Sequence, residues 1–284
     1  MITNSNQILK KAKQEKYAIP HFNIINLEWT KFILEECENN NSPVILGVSE
    51  SAAKYMGGYK VVADLIKSLD VSLKITVPVV IHLDHGSSFQ ICKEAIDSGF
   101  TSVMIDASKF DLNSNIEITK KVKEYAKTEV SVEAEIGHIG GKEEENEKGI
   151  NIAKVEEAIK LYENTKIDSL APALGSIHGL YVGTPKLDFN KMKKISKKID
   201  IPLVLHGGTG LNDTLLKQAI NCGICKVNIN TELQIAWSNE IKKYLIQNFN
   251  IYDPRLIIKS GEQAIKQVIK NKIQVLGSVG KASL

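Results

Sequence analysis

Short apolar runs alternate with longer amphipathic segments along the whole chain. Apolar runs bounded by polar or turn-forming residues predict buried strands, and segments with apolar residues about every three to four positions predict helices. The predicted strands cover residues 17–22, 44–48, 78–83, 101–106, 129–135, 168–172, 202–206 and 225–228. The predicted helices cover residues 27–37, 60–70, 88–98, 113–127, 153–164, 189–198, 212–221, 231–248 and 261–270.

The order of these elements predicts the fold class. Strands that alternate with helices form right-handed βαβ units around a parallel sheet. About eight such repeats in 284 residues predict an α/β protein built as a (β/α)8 TIM barrel, and we expect residues 1–284 to form a single domain. The alternative is a doubly wound open sheet, but no G-x-G-x-x-G turn follows the first predicted strand.

Side-chain alternation within the strands separates two faces. Glu133 and Glu135 share one face of their strand, and the apolar residues between them take the other. The same split recurs in the strands that end near Asp84, Asp106 and His206. We therefore expect apolar side chains to face the helices and titratable ones to face inward at the C-terminal rim, where barrel enzymes carry their catalytic groups.

The segment His82-Leu83-Asp84-His85-Gly86 stands out because it puts a carboxylate and an imidazole side by side. Adjacent side chains of a regular strand point in opposite directions. For both Asp84 and His85 to reach one site the strand must stop or bend, and we expect Gly86 to supply the backbone freedom.

A rim of titratable groups is costly unless the groups are paired or bind a metal. Three imidazoles with an open fourth position are typical of a catalytic zinc site. The ligands that we predict are His85, His178 and His206. For His21, His82 and His138 we expect ordinary hydrogen bonds instead.

Two loops predict a phosphate site. Gly207-Gly208-Thr209-Gly210 follows the seventh strand, and Asn228-Ile229-Asn230-Thr231 follows the eighth and opens a helix. Glycines let backbone N–H groups approach phosphate oxygens, and a helix N-terminus favours negative charge. Barrels commonly hold phosphate at the loops after strands 7 and 8.

Composition and charge narrow the class of protein. The chain is 43% hydrophobic with a net charge of +3, but Arg255 is its only arginine, which disfavours nucleic-acid binding. No apolar run is long enough to cross a membrane and the N-terminus lacks a secretory pattern, so we expect a cytoplasmic protein. Cys222 and Cys225 form a lone C-x-x-C pair, which we interpret as two small buried residues.

Several segments then match one family in order along nearly the whole chain. They are VSESAAKY (48–55), HLDHG (82–86), VEAEIG (132–137), GG (140–141), APALGSIHG (171–179), LHGGTG (205–210) and YDPR (252–255). Together they resemble the class II fructose-bisphosphate aldolases. The resemblance implies a zinc-dependent enzyme of glycolysis and gluconeogenesis that reversibly cleaves fructose 1,6-bisphosphate into dihydroxyacetone phosphate and glyceraldehyde 3-phosphate.

The resemblance also implies roles for individual residues. Asp84 would protonate the C4 oxygen during condensation, and Glu143 would be the mobile-loop base that takes the C1 proton. Asp106 and Glu135 would be alternate metal ligands or hydrogen-bond partners of the ligands. Substrate contacts would be Asn23, Ser49, Gly179, Gly207, Gly208, Thr209, Asn228, Ile229, Asn230 and Thr231. The family further implies a homodimer or higher homo-oligomer, sugar-phosphate substrates, and a monovalent cation (Na⁺ or K⁺) near the phosphate.

Some features depart from the family pattern or leave alternatives open. Ser51 stands where a glycine is usual, and His21 stands where a small or amide residue is common. Glu143 lies in an acidic run that is also typical of a solvated loop. Arg255 suits a second phosphate, or else a surface ion pair. We expect fructose rather than tagatose 1,6-bisphosphate as the better substrate, and the alternative outside this class is a non-catalytic metal-bearing binding protein.

Overall fold

Eight parallel strands close into a barrel in sequence order in the computed structural model, which describes residues 1–140, 151–181 and 183–283. The strands are β1 (Ile19–Asn23), β2 (Val44–Ser49), β3 (Val79–Gly86), β4 (Ser102–Ile105), β5 (Ser131–Ile136), β6 (Ser169–Pro172), β7 (Leu203–Leu205) and β8 (Ile224–Ile229). Pairing of β1 with β8 closes the sheet, with Ile19 opposite Lys226 and Phe22 opposite Ile229. The predicted single-domain TIM barrel is confirmed.

Helices surround the barrel and follow the strands. They are α1 (Asn6–Glu15), α2 (Leu27–Asn39), α3 (Glu50–Met56), α4 (Tyr59–Ser72), α5 (Phe89–Asp97), α6 (Leu112–Ala126), α7 (Val155–Thr165), α8 (Phe189–Lys198), α9 (Asp213–Asn221), α10 (Thr231–Gln247), α11 (Pro254–Ser260) and α12 (Glu262–Leu276). All nine predicted helices are present, α8 with the predicted ends and the other eight with shifted ends, whereas α1, α3 and α11 were not predicted. Within the described residues no helix is long and apolar enough to cross a membrane.

Two apolar regions support the barrel. The larger core lies between strands and helices and contains the outward-facing residues of the strands, among them Val132 and Ala134, as the alternation predicts. A smaller cluster joins Ile8 and Leu9 of α1 to Ile19, Ile45 and Val80 of the strands. Helix α1 thereby covers the N-terminal end of the barrel. Cys222 and Cys225 are buried and unbridged, as expected.

Polar residues at the C-terminal strand ends begin several of the helices. Ser49 ends β2, and its hydroxyl accepts a hydrogen bond from the Ala52 N–H in the first turn of α3. Ser88 caps α5 in the same way through the Ile91 N–H. Such caps stabilise a helix by about 0.5–2 kcal/mol. The cap also keeps the Ser49 hydroxyl at the rim where the strands end.

Candidate active site

The end of β3 bends, and the bend brings Asp84 and His85 into one site. The β3–β4 register shifts between Leu83 and Gly86, and His85 has a φ of 54°, in the left-handed region. A non-glycine residue in this region costs about 1–2 kcal/mol. The expected bend is therefore present, but the prediction that Gly86 supplies it is wrong. Gly86 is needed for space, because an added Cβ would lie 2.8 Å from the carbonyl oxygen of Met104.

The three predicted ligand histidines converge at the rim. His85 lies within the irregular end of β3, His178 lies in the loop after β6, and His206 follows β7 directly. His206 Nδ1 lies 2.9 Å from His85 Nε2, and the ring centroids of His85 and His178 are 4.9 Å apart. One nitrogen from each ring lies within 4.8 Å of the others. This spacing allows all three imidazoles to bind one ion.

In two of these rings, the nitrogen that faces away from the other histidines is hydrogen-bonded to a carboxylate. His85 Nδ1 lies 2.9 Å from Asp106 Oδ2, and His206 Nε2 lies 3.0 Å from Glu133 Oε1. An N–H directed at a carboxylate leaves the other ring nitrogen with a lone pair for a metal. His178 Nδ1 is buried and has no hydrogen-bond partner within the part of the chain that is described. The donor set therefore fits a metal ion.

The surrounding charges also favour a cation. Burial lowers the pKa of His178 and His206, so both rings are neutral and able to bind a metal. Burial acts on His85 in the same direction, but the Asp106 hydrogen bond and nearby carboxylates raise its pKa to about 10. Glu135 contributes to this negative charge, with Oε2 3.8 Å from His85 Nδ1. Asp106 and Glu135 thus lie close enough to His85 to hydrogen-bond to this ligand or to act as alternate metal ligands.

Asp84 lies beside the histidines and is held by two amides. Asn23 Nδ2 donates to Asp84 Oδ2 (2.8 Å), and Asn228 Nδ2 donates to Asp84 Oδ1 (3.2 Å). Burial opposes ionisation of Asp84, but the adjacent imidazoles and the Lys226 ammonium lower its pKa well below the usual value. The carboxylate is therefore ionised and able to accept a proton from a substrate hydroxyl.

The remaining histidines differ from one another. His82 is hydrogen-bonded on both sides, to Ser102 Oγ (2.8 Å) and Lys226 Nζ (3.0 Å), as expected. His138 Nδ1 lies 3.4 Å from Ser108 Oγ. The expectation of ordinary hydrogen bonds is wrong for His21, whose two ring nitrogens find no hydrogen-bond partner among the described residues. Its ring fills the barrel beside Gly47, and its Nε2 lies 3.8 Å from Asp84 Oδ1.

A cavity of about 540 Å³ opens above these groups. It is lined by Asn23, Ile24, Ile25, Ser49, Ser51, Ala52, Tyr55, Asp84, His85, His178, Asn230 and Gln234. A smaller recess adjoins it and is lined by Asn23, Asp84, His178, Gly179, Gly207, Thr209, Asn228, Asn230 and Thr231. Most predicted phosphate contacts therefore share one recess beside Asp84 and His178.

The glycine turn differs in detail from the prediction. The Gly208 N–H donates to the Asn228 carbonyl (2.9 Å), so the expectation that this amide contacts phosphate is not met. A Cβ at Gly207 would lie 2.1 Å from the Ile177 carbonyl oxygen. Tyr181 ties the same loops together, since its hydroxyl donates to the Gly207 carbonyl (2.8 Å) and accepts from the Ile177 N–H (3.2 Å). The glycines therefore allow two loops to pack closely.

Other predicted residues are not brought to the site. Ile229 is buried in the outer core, so only its backbone could meet a ligand. Arg255 is exposed, pairs with Asp253 Oδ2 at 2.8 Å and lines neither cavity. Glu143 and Gly141 lie outside the described residues. The sequence analysis did not predict Lys226 as a neighbour of the site. The signal that could have revealed it is the strand alternation, which puts residue 226 on the same inward face as Asn228.

Comparison with known proteins agrees with this geometry. The family model described as "Fructose-bisphosphate aldolase class-II" matches residues 3–281. The chain is 51% identical to a fructose-bisphosphate aldolase of Geobacillus stearothermophilus over 99% of both chains. It is 45% identical to 6-phospho-5-dehydro-2-deoxy-D-gluconate aldolase of Bacillus subtilis, covering 98% of this chain and 96% of that relative. The YdjI aldolase of Escherichia coli K12 superimposes with a TM-score of 0.87 at 32% identity, with 100% of both chains covered.

Proposed function

The chain belongs to the class II fructose-bisphosphate aldolase family, and we propose that it cleaves fructose 1,6-bisphosphate reversibly into dihydroxyacetone phosphate and glyceraldehyde 3-phosphate. Members of this family are lyases that break and form a carbon–carbon bond. The observation that carries the proposal is the convergence of three imidazoles, an ionised carboxylate and a loop-lined recess at one end of the barrel. The reaction belongs to glycolysis and gluconeogenesis, and a non-catalytic role leaves this arrangement unexplained.

The metal that fits the site is zinc. Three imidazoles with room for a further ligand match a catalytic Zn²⁺, and the unpartnered nitrogen of His178 supports this fit. His85, His178 and His206 would hold the ion. When bound, zinc supplies Lewis-acid polarisation of the ketone of dihydroxyacetone phosphate. A monovalent cation, Na⁺ or K⁺, would lie near the phosphate and balance its charge.

Asp84 moves the proton on the C4 oxygen. In cleavage its ionised carboxylate takes the C4 hydroxyl proton, and in condensation the protonated group returns it. Asn23 and Asn228 orient the carboxylate toward the cavity. Glu143 is the base for the C1 proton, and its assignment rests on the family resemblance.

The recess beside Asp84 suits the phosphate of dihydroxyacetone phosphate. Gly179, Gly207 and Thr209 line the recess, and so does Thr231 in the first turn of α10. Backbone N–H groups of such turns and the N-terminus of a helix bind phosphate without a cationic side chain. Ser49 in the larger cavity would contact the rest of the sugar.

The second phosphate needs an anchor, and no lysine or arginine of the described residues lines either cavity. Arg255 has the geometry for phosphate, but it is exposed and lines neither cavity. In a homo-oligomer an arginine in this position could be contributed to a neighbouring site. We therefore propose a homodimer or a higher homo-oligomer. We also propose a cytoplasmic location and a single catalytic domain spanning residues 1–284.

The identity of the sugar is tested by comparing three substrates. Purified enzyme is assayed for kcat/KM on fructose 1,6-bisphosphate, on its C4 epimer tagatose 1,6-bisphosphate, and on the substrate named for the Bacillus subtilis relative. The two trioses are also condensed and the C4 configuration of the product is determined. We expect fructose 1,6-bisphosphate to predominate in both assays. Preference for either other substrate would overturn the choice of sugar and leave the metal site standing.

A further inference from the structure

A fully buried lysine lies in the barrel interior beneath the metal-binding histidines. Lys226 is in the middle of β8, and 1% of its surface is exposed. Its Nζ lies 2.7 Å from Glu133 Oε2 on β5 and 3.0 Å from His82 Nε2 on β3. Neither cavity is lined by Lys226, so the ammonium is placed to act on its neighbours and not on a substrate.

Stability alone does not account for this ion pair. Taking an ammonium and a carboxylate out of water costs several kcal/mol per ion, and replacing such a pair by apolar residues is often neutral or stabilising. Barrel interiors are usually filled with branched aliphatic side chains at such positions. A role in arranging neighbouring groups would explain why the ion pair is present despite the cost of burying it.

The contacts of Glu133 indicate that role. Its two oxygens have different partners. Oε2 faces the Lys226 ammonium, and Oε1 faces His206 Nε2 at 3.0 Å. Ser169 Oγ is a distant further donor to Oε2, at 3.4 Å. Lys226 therefore determines how the Glu133 carboxylate is turned, and the carboxylate determines which nitrogen of His206 carries the proton. The nitrogen left with a lone pair is Nδ1, which faces His85.

We propose that Lys226 is a positioning residue of the metal centre. It holds Glu133 so that Glu133 in turn holds the His206 ring with Nδ1 directed at the ion. His82 completes the arrangement by accepting a hydrogen bond from the same ammonium and donating one to Ser102. This inference rests on the proposed function, since it requires the metal to bind at His85, His178 and His206.

Zinc affinity of the Lys226→Met variant tests the inference directly. Loss of a hydrogen-bond partner behind a metal ligand typically weakens metal binding by about 10–100-fold. We expect a loss of this size in competition with a chromophoric chelator, and an altered visible spectrum of the Co²⁺-substituted protein. Lys226→Met leaves the Glu133 carboxylate buried without its ammonium, so its metal-free form should melt below the metal-free wild type. Metal-free Glu133→Gln/Lys226→Met lacks both charges and should melt at least as high as the metal-free wild type, a result that a purely structural role of the pair would reverse.

Two further variants sharpen the test. Glu133→Gln/Lys226→Met removes both charges but keeps an amide oxygen that can accept from His206, so zinc affinity should recover relative to Lys226→Met. Lys272→Met is the matched control, because Lys272 is also buried and ion-paired, with Nζ 2.8 Å from Glu232 Oε2, but it lies on α12. Its zinc affinity should be unchanged. If Lys226→Met does not fold, Glu133→Gln alone must show the altered Co²⁺ spectrum.

The outcomes separate this inference from the proposed function. Wild-type zinc affinity and an unchanged Co²⁺ spectrum in Lys226→Met would overturn the role of Lys226 alone. A wild-type protein that binds no zinc would overturn both. Trapping of Lys226 by borohydride in the presence of substrate would show instead that the amine forms an imine, and would also overturn the positioning role.

Discussion

Near the N-terminal ends of the strands the barrel interior is filled by Ile19, Ile45 and Val80, whereas from the middle of the strands toward their C-terminal ends it holds His82, Glu133 and Lys226. We call the first set, with Ile8 and Leu9 of α1, the lower layer. The upper layer is the second set together with His21, Asp84 and His206. Both layers exclude water to nearly the same extent, since all of these residues are at most 5% exposed.

Equal burial has opposite consequences in the two layers. In the lower layer, each apolar side chain removed from water contributes roughly 1.5–3 kcal/mol to folding. In the upper layer burial is unfavourable, and every charged group needs a partner to offset its desolvation. The lower layer thus stabilises the barrel, while the upper layer costs stability and contains the residues that we propose for the chemistry. Substitutions in the two layers should therefore separate activity from stability.

The largest effect is expected for Asp84→Ala in the upper layer. Cleavage should fall by about 10²- to 10⁴-fold, the usual contribution of a positioned general acid or base. Exchange of the C1 proton of dihydroxyacetone phosphate with solvent should persist, because that step does not use Asp84. Exchange is followed by NMR in deuterated water, and equal loss of exchange and cleavage would contradict the assigned role.

Glu143→Ala should show the converse defect at the other proton. Binding of dihydroxyacetone phosphate should be nearly intact while C1 proton exchange is lost, since the metal and the recess bind and the carboxylate only moves a proton. Glu144→Ala is the neighbouring control and should retain exchange. Should Glu144→Ala lose exchange while Glu143→Ala keeps it, the base has been assigned to the wrong glutamate.

Leu9→Ala tests the lower layer. Leu9 is 1% exposed, and truncation of such a buried leucine costs about 2–5 kcal/mol of the free energy of unfolding. The metal content and kcat/KM of the folded variant should match those of the wild type, because α1 covers the opposite end of the barrel. Denaturant unfolding and steady-state kinetics check the two halves of this prediction. A variant with lowered kcat/KM but normal stability would contradict the division between layers.

The smallest effect concerns His21 and the pH dependence of stability. Burial lowers the pKa of His21 to about 3, whereas in the unfolded chain it is about 6.5. Between these values the unfolded state binds the extra proton, so this contribution to stability is complete above about pH 6.5 and is lost as the pH falls toward 3. In His21→Gln the free energy of unfolding should decline less steeply over this range. Parallel declines in variant and wild type would show that His21 does not titrate as described.

The barrel and its rim could be predicted because both depend on local patterns. Strand alternation placed Glu133 and Glu135 on the inward face, and short turns placed His206 at a strand end. Helix α1 was missed although Ile8, Leu9 and Ala12 follow helical spacing, because its apolar face is short.

Features that depend on contacts between distant segments could not be predicted in the same way. The positive φ of His85 depends on a bulge between β3 and β4, and not on the glycine that follows. Strand alternation puts Lys226 on the inward face with Asn228, but its partner Glu133 lies 93 residues earlier, so the ion pair itself could not be predicted. The Gly208 amide is occupied by Asn228 from the next strand, which no turn motif reveals.

We propose that His85, His178 and His206, at the rim of the upper layer, hold a zinc ion that the reaction requires. The most direct measurement is cleavage of fructose 1,6-bisphosphate by protein stripped of metal, with the metal content verified, and then titrated with Zn²⁺. We predict that activity is lost on stripping and returns in proportion to added zinc until the three-histidine site is filled. Full activity in a verified metal-free sample would contradict the account.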